Sequence, residues 1–326
     1  MDCAICGQEI GSKPLHKHKG YKLYHCPSCD VMFWYPMRNP GVEWYDASYL
    51  YCGRKLAWLK PKTVSWNHAQ FLKDMPARGG KLLDIGCGTG EFLAMAQDAG
   101  YSVTGIDFSQ MTIEIARSQF GLKELYPCTV EELVSQKPNE KYDVIVFFEL
   151  LEHVDDVPGF MSSVKRLLAP GGFIALSVPN RDRWRVNPVG LSVREWDYPP
   201  NHFTCWSIPA LVNLFTRHGF SVLSVKVEPL KALDRDWNVF VSIRLGIQPL
   251  IETLIVRPLS NSGRFTVVGR KPSFLHSLVK LAAHLYLRVF LPFLGMLTLP
   301  LRVLFKKQGS RLYLLAQLKN RGTEVE

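Results

Sequence analysis

Between residues 76 and 271 short apolar runs alternate with longer stretches in which apolar side chains recur every three or four positions. The runs Lys81–Ile85, 102–107, a weaker one at 124–126, Tyr142–Phe148, 172–178, Phe220–Val227 and 265–270 read as strands. Residues 142–148 are continuously apolar after their start, as befits a strand buried on both faces. Helices fit between the runs at 91–99, Gln110–Phe120, 157–168 and 208–218. Gly100, Gly121, Gly171 and Gly219 stand near their ends, where a left-handed cap is wanted. Strands alternating with helices imply βαβ units and a parallel sheet.

The flanking stretches have different patterns. Residues 1–38 are rich in Cys, His, Lys and Tyr and contain no long apolar run; residues 39–75 carry many aromatics and read as a helical linker. Residues 272–326 are apolar and basic and read as a helical tail. Within them, 281–301 is nearly all apolar, long enough to cross a bilayer, but Arg288 lies well inside and would be costly there. Flanking Lys280, Arg302, Lys306, Lys307 and Arg311 better suit an interfacial helix or short hairpin at an anionic leaflet. Packing against the core or another subunit is the competing reading.

Charge and thiols narrow the setting. The net charge of +10 invites an anionic partner, whether nucleic acid, lipid surface or phosphorylated substrate, without choosing among them. The first residues, Met1-Asp2-Cys3-Ala4-Ile5-Cys6, lack the basic and apolar regions of a signal peptide, so a cytoplasmic chain with reduced thiols is expected, peripheral to the inner face of the membrane if the tail binds lipid. The eight cysteines are then ligands or free thiols rather than a disulfide framework. Cys3-x-x-Cys6 and Cys26-x-x-Cys29, with 19 residues between the pairs, have the spacing of a zinc ribbon, four thiolates closing a structural tetrahedral site. His16, His18 and His25 are spare ligands nearby, and redox or incidental pairs are the alternative.

The chemistry-bearing segment is Leu82-Leu83-Asp84-Ile85-Gly86-Cys87-Gly88-Thr89-Gly90-Glu91-Phe92-Leu93, a strand, a glycine turn and a helix start. Glycines let backbone approach a ligand at the C-terminal edge of a sheet. The spacing is G-x-G-x-G, not the G-x-G-x-x-G of dinucleotide binders. Asp107 ends the next strand, where an acid can accept hydrogen bonds from ribose hydroxyls. The segment resembles motif I of the class I S-adenosylmethionine-dependent methyltransferases. The similarity continues through Tyr142-Asp143-Val144-Ile145, Leu151-Glu152-His153-Val154, Leu167-Leu168-Ala169-Pro170-Gly171-Gly172 and Ser177-Val178-Pro179-Asn180.

The resemblance implies a doubly wound, Rossmann-like α/β sheet of seven strands, order 3-2-1-4-5-7-6 with the last strand antiparallel, spanning 76–271 with a lid insertion at about 181–207. It implies S-adenosylmethionine as cofactor. Gly86, Gly88 and Gly90 would wrap its methionine and ribose, Asp84 its amino group, Asp107 the ribose and Phe108 the adenine. Cys87 and Phe148 join the cofactor contacts, and Glu131, in Thr129-Val130-Glu131, stands where the adenine-binding acid is sought. Methyltransferases of sugar and natural-product pathways look similar, with a ribbon followed by an aromatic helix like Trp44-Tyr45-Asp46-Ala47-Ser48-Tyr49.

Methyl transfer needs alignment above all, and a general base when the acceptor is a hydroxyl or carbon acid. Glu149, Glu152 and His153 follow the fourth strand, and His202, in Asn201-His202-Phe203-Thr204-Cys205-Trp206-Ser207, precedes the next helix. Each is a candidate base or substrate contact; bracing the lid loop is the plainer role for His202, and a structural one for His153. Methylation of a small-molecule, sugar, quinone or lipid-linked acceptor is the expectation, at oxygen first and at carbon as the alternative. An RNA methyltransferase is less favoured: no basic stripe interleaved with aromatics is present, and Phe148-Glu149-Leu150-Leu151 stands where base N-methylation would want Asn-Pro-Pro-Tyr. A non-catalytic module recruiting a partner to a membrane is the third reading.

Overall fold

A computed structural model describes residues 1–51, 64–76, 79–183, 197–229 and 309–319. Apart from Pro229 and Gly309 these belong to one compact unit, and a second unit, Trp184–Leu191 with Pro229–Gly309, otherwise lies outside them. The apolar segment 281–301 and the strand expected at 265–270 are also outside the described residues. Among the described residues no helix is long and apolar enough to cross a membrane.

The N-terminal residues form a small antiparallel sheet from β1 (His16–His18), β2 (Tyr21–His25) and β3 (Met32–Tyr35). Two helices follow, α1 (Val42–Tyr51) and α2 (Trp66–Asp74). The main sheet is built from β4 (Lys81–Ile85), β5 (Ser102–Ile106), β6 (Leu125–Tyr126), β7 (Tyr142–Phe148), β8 (Leu168–Pro179), β10 (Phe220–Val227) and β11 (Arg311–Leu318). The two-residue β9 (Thr204–Cys205) leaves this sheet and pairs with β3, completing a four-stranded N-terminal sheet. The seven strands run β10-β11-β8-β7-β4-β5-β6, which in order of use is 3-2-1-4-5-7-6. β4, β5, β6, β7 and β8 are parallel, and β11 is antiparallel to both β8 and β10.

The strand between β8 and β10 therefore comes from 311–318, which the sequence pattern assigned to the apolar, basic tail. Its alternation is hidden because Leu312, Tyr313, Leu314, Leu315 and Ala316 are all buried, as a strand covered on both faces requires. Arg311, read as a basic flank, is the first residue of this strand.

The crossover helices are α3 (Glu91–Asp98), α4 (Gln110–Phe120), α5 (Val130–Gln136), α6 (Val157–Leu167) and α7 (Ile208–Arg217). α6 buries Val157, Phe160, Met161, Val164 and Leu167, the i, i+3, i+4, i+7 stripe of a helix laid on a sheet. α5 is absent from the sequence pattern because it is short; a capping box fixes it, with Thr129 Oγ1 accepting from the Glu132 N–H and Glu132 accepting from the Thr129 N–H. The parallel strands all end on one edge, so the loops after β4, β5, β7 and β8 converge there.

One glycine is dictated by packing rather than by φ. A Cβ on Gly105 in β5 would sit 2.4 Å from Leu93 Cδ1, 2.7 Å from Leu125 Cδ2 and 2.9 Å from Cys87 Sγ, all interior atoms. Gly105→Ala is expected to destabilise the chain by about 1–3 kcal/mol through overpacking, read as a lower denaturant midpoint at unchanged slope.

Candidate active site

The turn after β4 is pinned from below. The N–H groups of Gly86 and Cys87 both donate to the Ile106 carbonyl, at 2.8 and 3.0 Å. Gly86, Gly88 and Gly90 have φ of 74, 52 and 82°, a left-handed region that side chains disfavour. Their surroundings differ. A Cβ on Gly90 would press on Ala116 at 2.9 Å, and one on Gly86 would meet Leu150 at 3.0 Å, whereas at Gly88 nothing lies within 4 Å. Gly90 is thus a packing glycine between α3 and α4, and Gly88 is the open one.

Asp107, just past β5, organises this turn. One carboxylate oxygen accepts from the Gly88 N–H at 3.0 Å and the other from the Ser109 N–H at 2.9 Å. Ser109 caps α4 and donates its hydroxyl to Asp46 of α1 at 2.7 Å. The cleft above has a volume of about 1030 Å³. Gly86, Gly88, Asp107, Phe108, Glu131 and Phe148 all line it. Asp84, Cys87 and Gly90 do not: Asp84 is buried inside the sheet edge, and the Cys87 thiol packs under Gly105 in the core. Burial, then the neighbouring Asp107 charge, push the Asp84 carboxyl well above the usual carboxylate range. Phe108 stays 36% exposed beside Tyr45 of α1, their rings 5.4 Å apart, so one face of the cleft has an aromatic ring to offer.

The other half of the cleft holds Glu149, Glu152, His153 and His202. Glu149, directly after β7, has φ 51°, a strained value for a side chain with a Cβ. It is held there by its N–H donating to the Ser177 carbonyl and by its carboxylate accepting from the Ser177 hydroxyl, each at 2.8 Å. Asn67 of α2 donates to the same hydroxyl at 3.0 Å. Burial raises the Glu149 pKa, against the opposing pull of Arg311.

Glu152 and His153 lie in a single 3-10 turn, Leu151–His153. Glu152 is 1% exposed, and its Oε2 has no hydrogen-bond partner among the described residues. Burial, then the adjacent Glu149, push its carboxyl well above the ordinary value. His153 donates from Nδ1 to the Asn201 carbonyl at 2.6 Å, which leaves Nε2 as the lone-pair nitrogen. Burial, then the His202 charge, lower its pKa to about 3, so the ring is neutral at physiological pH.

His202 packs on it edge-to-face at 4.7 Å and has its Nδ1 3.4 Å from Asp197, which is also paired with Arg183. Donor atoms of Glu152, His153 and His202 fall within 4.8 Å of one another. With the orphaned carboxylate oxygen, this mixed set suits a divalent cation. Sequence reasoning missed Arg311, which lines the cleft, and Tyr45. Nothing in the local sequence of either marks it, since both reach the cleft only through tertiary packing.

At the far end of the ribbon Cys3, Cys6, Cys26 and Cys29 also bring their sulfurs within 4.8 Å, Cys3 to Cys29 at 3.8 Å and Cys6 to Cys26 at 3.6 Å. All four are free thiols at non-bonded distance. A tetrahedron with metal–sulfur bonds of about 2.3 Å has edges of roughly 3.8 Å, close to the two pair distances, so the four thiols permit a zinc ion.

The family model described as a methyltransferase domain matches residues 62–225, half of the chain. The chain belongs to the methyltransferase-domain family. Its glycine turn and Asp107 are accordingly the first and second strand ends of a class I methyltransferase domain. Two similar curated proteins are ubiquinone biosynthesis O-methyltransferases. That of Brucella anthropi is 37% identical over 151 residues, 44% of this chain and 58% of that protein. That of Bartonella bacilliformis is 35% identical over 141 residues, 42% and 56%. The chain spans somewhat more than half the length of these relatives. Among solved structures, a SAM dependent methyltransferase from Archaeoglobus fulgidus is similar, with 14% identity and a TM-score of 0.48, covering 85% of this chain and 100% of that one.

The buried acid of this methyltransferase domain has a thermodynamic signature. Asp84 holds its proton to a higher pH in the folded state than the 3.8 of the unfolded chain, so the stability it contributes is full below that value and is lost as pH rises toward its folded pKa. Asp84→Asn is therefore expected to gain stability relative to the parent chain by an amount that grows from pH 4 to pH 7, measured by urea unfolding at several pH values. A pH-independent difference would mean that Asp84 is ionised in the folded protein.

Proposed function

We propose that this chain binds S-adenosylmethionine and transfers its methyl group to a hydroxyl oxygen of a small-molecule acceptor. The observation that carries the reading is the joint placement of Asp107 and Gly88. The carboxylate is fixed by two backbone N–H groups and retains lone pairs facing a cleft, beside the one glycine of the turn whose Cα faces open space. That is a cradle for a ribose and the chain attached to it. In this reading Gly86 and Gly88 supply close backbone approach, Phe108 an aromatic face for the adenine, Glu131 an acceptor at the far end, and Phe148 an apolar wall. Asp84, set behind the turn, acts on the cofactor amino group only through the turn it supports.

When bound, the cofactor supplies an electrophilic sulfonium methyl. The residues of the chain have two tasks beside it. One is to hold the acceptor oxygen in line, the task this reading gives to the wall formed by buried Glu152 with the half-buried Glu149, His153 and His202. The other is to take the hydroxyl proton. In this reading the base is His202, packed on His153 and with its Nδ1 3.4 Å from Asp197; His153, anchored through its Nδ1–H on the Asn201 carbonyl and with its pKa lowered to about 3, braces it. The relatives carry the name ubiquinone biosynthesis O-methyltransferase, which favours a quinone-related hydroxyl or a lipid-linked one as the acceptor class here. The four clustered thiols hold a structural zinc ion in the same reading.

Calorimetric titration with S-adenosylhomocysteine tests the proposal. Micromolar binding to the parent chain is expected, with Asp107→Ala weakening it about tenfold or more as two charge-assisted hydrogen bonds and the ribose contact are lost. Absence of binding to folded, zinc-loaded protein would overturn the reading. Elemental analysis of the same sample should give about one zinc per chain, and Cys3→Ser with Cys26→Ser should remove it.

A further inference from the structure

The ribbon and the acceptor side of the cleft are joined by more than proximity. Asp30, directly after the fourth cysteine, adopts φ 60° and donates its N–H to the Cys26 carbonyl at 2.8 Å, closing the second knuckle. Its side chain bonds partners other than the thiols. One carboxylate oxygen accepts from His25 Nε2 at 2.9 Å. The other accepts from Arg181 Nη2 at 2.8 Å and from the Ser207 hydroxyl, while the Asp30 carbonyl accepts from Arg181 Nη1.

Arg181 and Ser207 flank the His202 segment. Ser207 caps α7, its hydroxyl oxygen accepting from the Ala210 N–H at 3.1 Å. Arg181 donates its N–H to the Trp206 carbonyl at 2.8 Å, next to a parallel bridge between Asn180 and Trp206. Between these clamps β3 pairs with β9, Met32 opposite Cys205 and Phe33 opposite Thr204, and the Trp34 N–H donates to the Phe203 carbonyl at 2.8 Å. On its other side Phe203 donates to the Glu152 carbonyl at 2.7 Å. The residue carrying His202 thus hangs from the ribbon by one edge and from the 3-10 turn of Glu152 and His153 by the other.

We propose that Asp30 is a positioning residue for the acceptor side of the cleft, coupling the folded cysteine knuckle to the segment that carries His202. The acceptor assignment of that side rests on the proposed methyltransferase function; the coupling itself does not. An acidic side chain is suited to the task because it accepts from a guanidinium, a hydroxyl and an imidazole at once, three donors from three separate segments. A knuckle without its metal loses the geometry that aims this carboxylate, so metal occupancy is transmitted to the strand β9 and not to the glycine turn, which the ribbon network does not reach.

Hydrogen exchange read by mass spectrometry tests this on the full chain, with zinc content and S-adenosylhomocysteine affinity measured on each sample. In Asp30→Ala the peptide covering 198–206 is expected to exchange about tenfold faster, with a smaller effect in Asp30→Asn, which keeps one acceptor oxygen. Peptides from β4 and β7 should be unchanged, and the affinity should stay within about threefold. Removing zinc by chelation should reproduce the local effect. Exchange at 198–206 within about twofold of the parent chain would overturn the proposal. So would acceleration spread evenly over β4 and β7, since the residue would then serve only global stability. If Asp30→Ala loses its zinc, Arg181→Gln, which leaves Asp30 and the four cysteines in place, is judged by the same two criteria. A parent chain that fails to bind S-adenosylhomocysteine would sink the methyltransferase reading and leave the exchange result to decide the coupling by itself.

Discussion

Parallel strands that end on one edge are the constraint on which the rest depends. β4, β5, β7 and β8 run in the same direction, so the backbone that leaves them has to turn within one narrow zone. Groups with no sequence proximity meet there: Gly88 and Asp107 from two neighbouring strand ends, Glu149 from a third, and Ser177 from the fourth, still within its strand. Two of the carboxylates stranded in that zone are satisfied by its own groups. Asp107 bonds two backbone N–H groups, and Glu149 bonds the hydroxyl and carbonyl of Ser177. The strain at Glu149 is tolerated because two hydrogen bonds to Ser177 and a packed strand fix it.

Burial raises the carboxyl pKa at both ends of the cleft, at Asp107 as at Glu152, and the two ends differ in their hydrogen bonding. Around Asp107 the carboxylate is solvated by backbone amides, an arrangement that suits a ligand with hydroxyl donors. Around Glu152 and His153 it is not. There the acid is driven toward its neutral form and the imidazole is held neutral, so the two can exchange or share charge with a guest at little reorganisation. In the proposed methyl transfer the first environment would hold the cofactor and the second would face the acceptor.

The legible part of the molecule was the part encoded locally. The glycine turn, the acid nineteen residues after Gly88, the strand 142–148 and the helix stripes each declare themselves within a dozen residues or by fixed spacing. The cysteine pairs did likewise. Arg311 and β11 were not legible, because a strand buried on both faces has no alternation and looks like any apolar stretch beside basic residues. The alliance of ribbon and His202 was hidden for another reason. β9 is two residues long and its partner lies some 170 positions earlier, so no window of sequence contains the signal. His202 could be singled out as chemistry, but what holds it in place could not.

The order of strands has a consequence for how the chain is made. β10 reaches the sheet only through β11, and the two clasp through Arg311 and Glu228, 83 residues apart. At 5–20 residues per second a ribosome needs roughly 4–17 s to supply that interval. During it, β8 presents Ile174, Leu176 and Val178 along an open edge that will later be fully covered. The nascent domain must pass through a period with an unpaired apolar edge strand, the form most prone to pairing with the wrong chain. For at least that interval the domain depends on something other than its own later strand to cover the β8 edge.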